Sequence, residues 1–280
     1  LKNLIHEGWR DDSQRQKELI FRNEAVFADL KPMNEETEQP PADILAFGAH
    51  PDDVELGVGG TLALAAAQGR SVVIIDLTRG EMASKGTVEE RWKEACDAAR
   101  ILRVRERING QWPDGHLSDL SRWQPWMEQF VHWLRRYRPK LVLAPGGSDR
   151  HPDHGAAGQL VRQALFYGGL RKFGDSSREP WRPARFLTYR INGNLLQENR
   201  EPLYVDVGSV YEQKRAALCV YQSQFFRGLD GRRLELRIPD LPQLLEDRDR
   251  YLGGLIGTTF AEPLYPEAPL GVKEIGALWE

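Results

Sequence analysis

The run Ser71–Leu77, SVVIIDL, is apolar and β-branched over most of its length. A strand with one wet face alternates polar and apolar side chains, so a strand apolar on both faces must be covered on both. No other segment narrows the fold class as far, because covering both faces of a sheet takes crossover helices. The flanking segments supply them. Asp43–Phe47 reads as a short strand and Gly59–Gln68 as an alanine-rich helix. Val88–Leu102 carries Ala95, Ala98, Ala99 and Leu102 on one helical side, and Arg105–Asn109 reads as a third strand. In Trp123–Tyr137 the residues Trp126, Phe130, Val131 and Leu134 recur at helical spacing. Lys140–Ala144 is a fourth strand and Gly155–Arg171 a fourth helix. This alternation predicts an α/β fold, a Rossmann-like, mostly parallel sheet with helices on both faces.

The pattern changes after Pro183. Arg185–Ile191 and Leu203–Val207 read as strands, and Tyr211–Tyr221 and Gln243–Tyr251 as helices, which adds a smaller mixed portion at the C-terminal end. Residues 42–280 are expected to form a single domain. Residues 1–41 read as a variable arm and linker, with a helix over Gln14–Leu30 and a polar stretch ending in Pro40 and Pro41. The domain is expected to need nothing before Met33.

Bulk properties remove several function classes. The chain has 280 residues and a formal net charge of −3, which gives no electrostatic reason to bind nucleic acid or an anionic membrane. It has no apolar run of the roughly 18 residues that a membrane helix needs, and no basic-then-apolar N-terminal signal. The two cysteines, Cys96 and Cys219, lack CxxC spacing and read as free thiols, which suits a reducing, cytoplasmic compartment.

Two short turns carry the chemistry. Ala49-His50-Pro51-Asp52-Asp53 follows the apolar run Ile44–Phe47, and Arg150-His151-Pro152-Asp153-His154 follows Leu141–Ala144. In open α/β sheets ligands bind beyond the carboxyl ends of the strands, so the two turns are expected to meet there. A catalytic zinc site takes three protein ligands from His, Asp and Glu and leaves a place for water. A tight turn aims its first and fourth residues at one place, so His50 and Asp53 can share a metal and His154 can complete the set. Asp52 is then a spare carboxylate that can act as general base. Asp153 can pair with His151, hold its ring and raise its basicity. His6, His116 and His132 are set aside as arm, loop and helix residues. Gly57-Val58-Gly59-Gly60 imitates a dinucleotide fingerprint, but its glycines do not meet G-x-G-x-x-G, and close approach of the helix to the turn accounts for them.

These motifs resemble the PIG-L/LmbE family of zinc-dependent N-acetylglucosaminyl deacetylases, most of all its bacillithiol-biosynthesis branch. ILAFGAHPDDVELGVGGTLA, DLTRGEMASKGTVEER, PDGHL, RPKLVLAP, DRHPDHGAAGQLV, YGGLRKF, YRING and YQSQF match in order over about residues 42–265. The resemblance implies zinc on His50, Asp53 and His154, with Asp52 as general base. It implies that His151, partnered by Asp153, stabilises the tetrahedral intermediate or protonates the leaving amine. It assigns Arg91 to sugar hydroxyls, Asp114 to a sugar-binding carboxylate role, and Tyr221 to a mobile position near the oxyanion. On the residues alone, Arg91 reads as a helix ion pair with Glu94, and Tyr221 as a core aromatic. The implied reaction removes the N-acetyl group of N-acetylglucosaminyl-malate. Another N-acetylated sugar, or a catalytically silent sugar-binding module, stands as the alternative. The resemblance also implies a homo-oligomer.

Overall fold

A computed structural model of the chain describes residues 40–146, 149–174, 177–191, 201–226 and 241–271. The helix expected over Gln14–Leu30 and the linker after it lie outside the described residues. The strands are β1 (Ile44–Gly48), β2 (Val72–Thr78), β3 (Glu106–Trp112), β4 (Leu141–Pro145), β5 (Arg185–Tyr189), β6 (Leu203–Asp206) and β7 (Ala261–Pro266). They form one seven-stranded sheet in the order β3-β2-β1-β4-β5-β7-β6. The strands β1 to β5 are mutually parallel, and β7 runs antiparallel to both β5 and β6. The predicted mostly parallel α/β sheet is therefore present, with its mixed part at the C-terminal edge.

All seven residues of β2 are buried. Val72 and Ile74 join Ile44, Ala46 and Leu143 in one apolar cluster, and Val73, Ile75 and Leu77 join Leu45 and Phe47 in the other. Helices α1 (Asp53–Ala67) and α2 (Val88–Ile101) supply Leu62, Ala98 and, just past its end, Leu102 to the first cluster. Helices α3 (Trp123–Tyr137) and α4 (Pro152–Gly168) supply Phe130, Trp133 and Val161 to the second. Each fully buried Val, Ile or Leu contributes about 1.5–3 kcal/mol relative to exposure, so β2 alone accounts for much of the drive to assemble both layers. Among the described residues, the further α-helices are α5 (Tyr211–Cys219), the single turn α6 (Gln222–Phe225) and α7 (Leu241–Leu255).

The boundaries differ from the sequence reading where function resides. Both α1 and α4 begin inside the His-Pro-Asp turns, six and three residues earlier than the expected Gly59 and Gly155. In α4, Pro152 takes a first-turn position, where its missing N–H costs nothing. In α1 the helix is broken at Val58 (φ −142°, ψ 18°), so the glycine run lies within it. Gly57 is required there, because a Cβ would fall 2.1 Å from the Tyr189 ring. The amides freed at the break are taken by a carboxylate of β7: Gly60 N and Thr61 N donate to Glu262 at 2.9 and 2.6 Å. Lys214 of α5 closes this network with 2.6 Å contacts to Glu262 and to Asp249 of α7.

Strand β1 pairs with β2 on one side and β4 on the other, so the strand order reverses beside it. That reversal opens a crevice past the carboxyl ends of β1 and β4, and both turns empty into it.

Candidate active site at the strand-order reversal

The first turn leaves β1 at Ala49, whose carbonyl accepts from Thr78 N at 3.0 Å and from Thr78 Oγ1 at 2.9 Å. His50 N donates to Asp53 Oδ2 at 2.9 Å, which closes the turn. Asp52 between them has φ 114° and ψ −25°, a left-handed backbone unusual for any residue but glycine. Such strain costs on the order of 1–3 kcal/mol and persists only where surrounding contacts enforce it.

Across the crevice, His154 Nε2 lies 3.3 Å from Asp53 Oδ1, while His50 Nδ1 lies 3.4 Å from Asp53 Oδ2. One carboxylate thus sits between the two imidazoles, whose ring centres are 5.4 Å apart. His151 stacks on His154 at 4.6 Å and meets His50 edge-on at 4.7 Å. A third segment, the loop after β3, joins the turns. Asp114 Oδ1 is 2.9 Å from His50 Nε2, and Asp114 Oδ2 accepts from Met82 N at 2.9 Å. The structure thus places His50, Asp53, Asp114, Asp153, His151 and His154 together, with Asp52 next to Asp53 in the first turn.

Several contacts differ from expectation. The Asp153 carboxylate accepts from Gly115 N at 2.7 Å and Leu117 N at 3.2 Å, so it ties the Asp114 loop to α4. His151 meets Asp153 through the backbone instead: Asp153 N donates to His151 Nδ1 at 3.3 Å. Tyr221 lies fully buried, and its hydroxyl donates to Glu55 Oε1 at 3.1 Å. Glu55 and Asp76 both pair with the buried Arg107, which makes a charged layer beneath the first turn. Arg91 pairs with Asp52, and Glu94 instead takes the Ser223 hydroxyl at 2.6 Å. Two participants escaped the sequence reading. Asp149 Oδ2 lies 3.1 Å from His154 Nδ1, close enough for an ion pair though off a good hydrogen-bonding line, and Asp149 Oδ1 accepts from His151 N at 2.8 Å. Glu81 Oε1 accepts from Asp114 N at 2.9 Å. Asp149 was findable, since an acid two residues before a strand-end histidine is placed to cap the turn.

The electrostatics are those of a cation site. Burial alone would lower the His50 pKa, but Asp114, Asp153 and Asp53 outweigh it and push it up to about 12. Burial likewise opposes the His154 charge, yet Asp53 and Asp149 raise it to about 9. His151 goes the other way, lowered by burial and by the two neighbouring imidazoles. Burial pushes Asp52 up to about 6 against the pull of Arg91. Carboxylates outnumber fixed cations, and a bound cation would compete with the protons that His50 and His154 are raised to hold. Among the described residues, two sets of donor atoms lie mutually within 4.8 Å: His50, His151 and His154, and His50, Asp114 and Asp153. Imidazole and carboxylate donors fit a divalent transition metal. The expected set of His50, Asp53 and His154 is linked pairwise through Asp53, but is not one of these two tight groups.

A buried histidine–carboxylate cluster at the reversal point of a parallel sheet defines a class of protein, one whose site can hold a metal ion. The comparisons with known proteins narrow it. The PIG-L family, described as GlcNAc-PI de-N-acetylase, matches residues 45–165, which span both turns. The diacetylchitobiose deacetylase of Thermococcus kodakarensis is 30% identical over 217 residues, covering 72% of this chain and 79% of that protein. A 1D-myo-inositol 2-acetamido-2-deoxy-alpha-D-glucopyranoside deacetylase of Kineococcus radiotolerans is 27% identical, covering 52% of this chain and 51% of that one. Among solved structures, the conserved protein TT1542 from Thermus thermophilus superposes with a TM-score of 0.71 at 40% identity, covering 84% of this chain and 98% of that one. The chain belongs to the PIG-L family of de-N-acetylases.

Proposed function

We propose that this protein is a zinc-dependent N-deacetylase that removes the acetyl group from a GlcNAc-containing small molecule. One observation carries the reading. Asp52, a buried carboxylate in a strained turn, is adjacent in sequence to Asp53, which links His50 and His154. A binding module has no use for such a base. His50, Asp53 and His154 would hold the metal, with Asp114 and Asp153 completing its surroundings. When bound, the metal supplies Lewis-acid activation of water and of the acetyl carbonyl.

The chain's own groups do the rest. Asp52 takes the proton from the attacking water. His151 Nδ1 accepts a backbone hydrogen bond, so in the neutral ring the hydrogen sits on Nε2. That makes His151 a donor to the oxyanion, and it leaves Asp52 to return its proton to the departing amine. Tyr221 has a part only if it leaves Glu55.

The resemblance to the bacillithiol branch favours N-acetylglucosaminyl-malate as substrate, whose malate needs a cation. Arg79, Lys85, Arg150 and Arg171 are the candidates; of these, Arg171 pairs with Glu179 at 2.6 Å and Lys85 donates to Gln224 O at 3.1 Å. Arg79 and Arg150 are exposed, and Arg150 adjoins His151, so these two suit an anionic aglycone. The test is amine release from N-acetylglucosaminyl-malate, N,N′-diacetylchitobiose and N-acetylglucosamine. Turnover that a chelator abolishes and zinc restores, greatest on the malate glycoside, is expected. A zinc-loaded chain that frees no amine from any of the three would refute the reading.

A further inference from the structure

The guanidinium of Arg91 is spent on the first turn. Nε donates to the Pro51 carbonyl at 2.9 Å, and Nη2 donates to Asp52 Oδ1 at 2.9 Å. Nη1 lies against Gly80, where a Cβ would fall 2.3 Å from it. Gly80 itself has φ +68°, so glycine serves both the backbone and the fit of the arginine. Arg91 is 7% exposed. With all three nitrogens engaged or covered, little of the group is left for a sugar hydroxyl.

The geometry of the two hydrogen bonds is specific. The Pro51 carbonyl belongs to the peptide plane on one side of the Asp52 N–Cα bond, and the Asp52 carboxylate hangs from the other side. Rotation about that bond is φ, the angle held at 114°. A rigid planar fork that grips both sides resists that rotation directly. Lysine, a single point of attachment, cannot do the same.

We propose that Arg91 is the positioning residue of the Asp52 base: it clamps the strained Pro51–Asp52 peptide and its carboxylate in the reactive arrangement, and Gly80 is the notch that seats it. The role is distinct from sugar recognition, and it rests on the deacetylase reading only in taking Asp52 as the base.

The test uses the full chain loaded with zinc and the variants Arg91→Lys, Arg91→Gln and Gly80→Ala. Three readouts are taken: kcat and KM for N-acetylglucosamine, the dissociation constant of glucosamine by calorimetry, and amide hydrogen exchange over residues 50–54. A misplaced base should lower kcat about a hundredfold, while KM and the glucosamine constant stay within about threefold of wild type. Exchange in the turn should quicken in Arg91→Lys, and Gly80→Ala should follow the arginine variants. Retained kcat with KM and the glucosamine constant raised about tenfold or more would overturn the proposal in favour of a sugar ligand. So would unchanged exchange in Arg91→Lys. Should Gly80→Ala fail to fold, the arginine variants decide alone. A wild-type chain that releases no amine from N-acetylglucosamine, N,N′-diacetylchitobiose or N-acetylglucosaminyl-malate would sink the deacetylase reading, and the exchange measurement would still judge the clamp.

Discussion

The molecule buries two groups of charges and treats them in opposite ways. Around Glu262, two cations and two carboxylates answer one another. Lys214 reaches Asp249 and Glu262, Arg248 reaches Asp249 at 2.7 Å, and Glu262 also accepts from Gly60, Thr61 and the Thr61 hydroxyl. Lys214, Asp249 and Glu262 are fully buried, and the backbone they serve is the break in α1. At the turns, the carboxylates of residues 52, 53, 114, 149 and 153 outnumber Arg91, the fixed cation paired with Asp52, and two histidines are forced to carry charge. A network that the chain neutralises itself is scaffold. One left short of positive charge is built for something that arrives later.

The contrast can be broken from either side. Lys214→Met should leave Glu262 buried without a cation and Asp249 with Arg248 alone, and destabilise the fold by about 3–5 kcal/mol, measured by urea unfolding. A loss under about 1 kcal/mol would mean that the network is not the staple described here. Asp52→Asn should keep the fold and bound zinc but lower turnover about 10²–10⁴-fold, with metal content and kcat as the measurements. Stability should hardly change, since a buried acid with excess negative neighbours is being neutralised. Wild-type turnover in that variant would remove Asp52 as the base. The smallest effect is expected at Asp149. If it orients the His154 ring, Asp149→Asn should weaken zinc binding about 10–100-fold in a chelator competition, with the unfolding midpoint of the metal-free chain unmoved. An unchanged zinc affinity would make Asp149 a turn cap and nothing more.

The comparison also explains what could be read in advance. Both turns were legible because their information is local: each His-Pro-Asp follows an apolar run, and a parallel sheet delivers strand ends to one side. The both-face burial of SVVIIDL was legible for the same reason. Apart from the early starts of α1 and α4, the misreadings lie in side-chain partnerships made over long distance. Asp153 holds Gly115 and Leu117 where His151 was expected. Tyr221, two residues past the end of α5, bonds Glu55, 166 residues away. Arg91 passes over Glu94, its neighbour on the helix, for Asp52, 39 residues away. Helix spacing offers the near partner, whereas the burial of Asp52 demands the far one.

The amino-acid order by itself determined the alternation of strands and helices, the meeting of the two turns, and the residue types there that could hold a metal. These follow from periodicity and from the handful of backbone shapes open to His-Pro-Asp. Tertiary packing alone decided which carboxylate each histidine and arginine takes, that α1 breaks and is capped from β7, and that Asp52 is strained with Arg91 across it. The reason is physical: a charge removed from water must find its opposite among whatever side chains the fold brings within about 3 Å, and distance along the chain has no say in that choice.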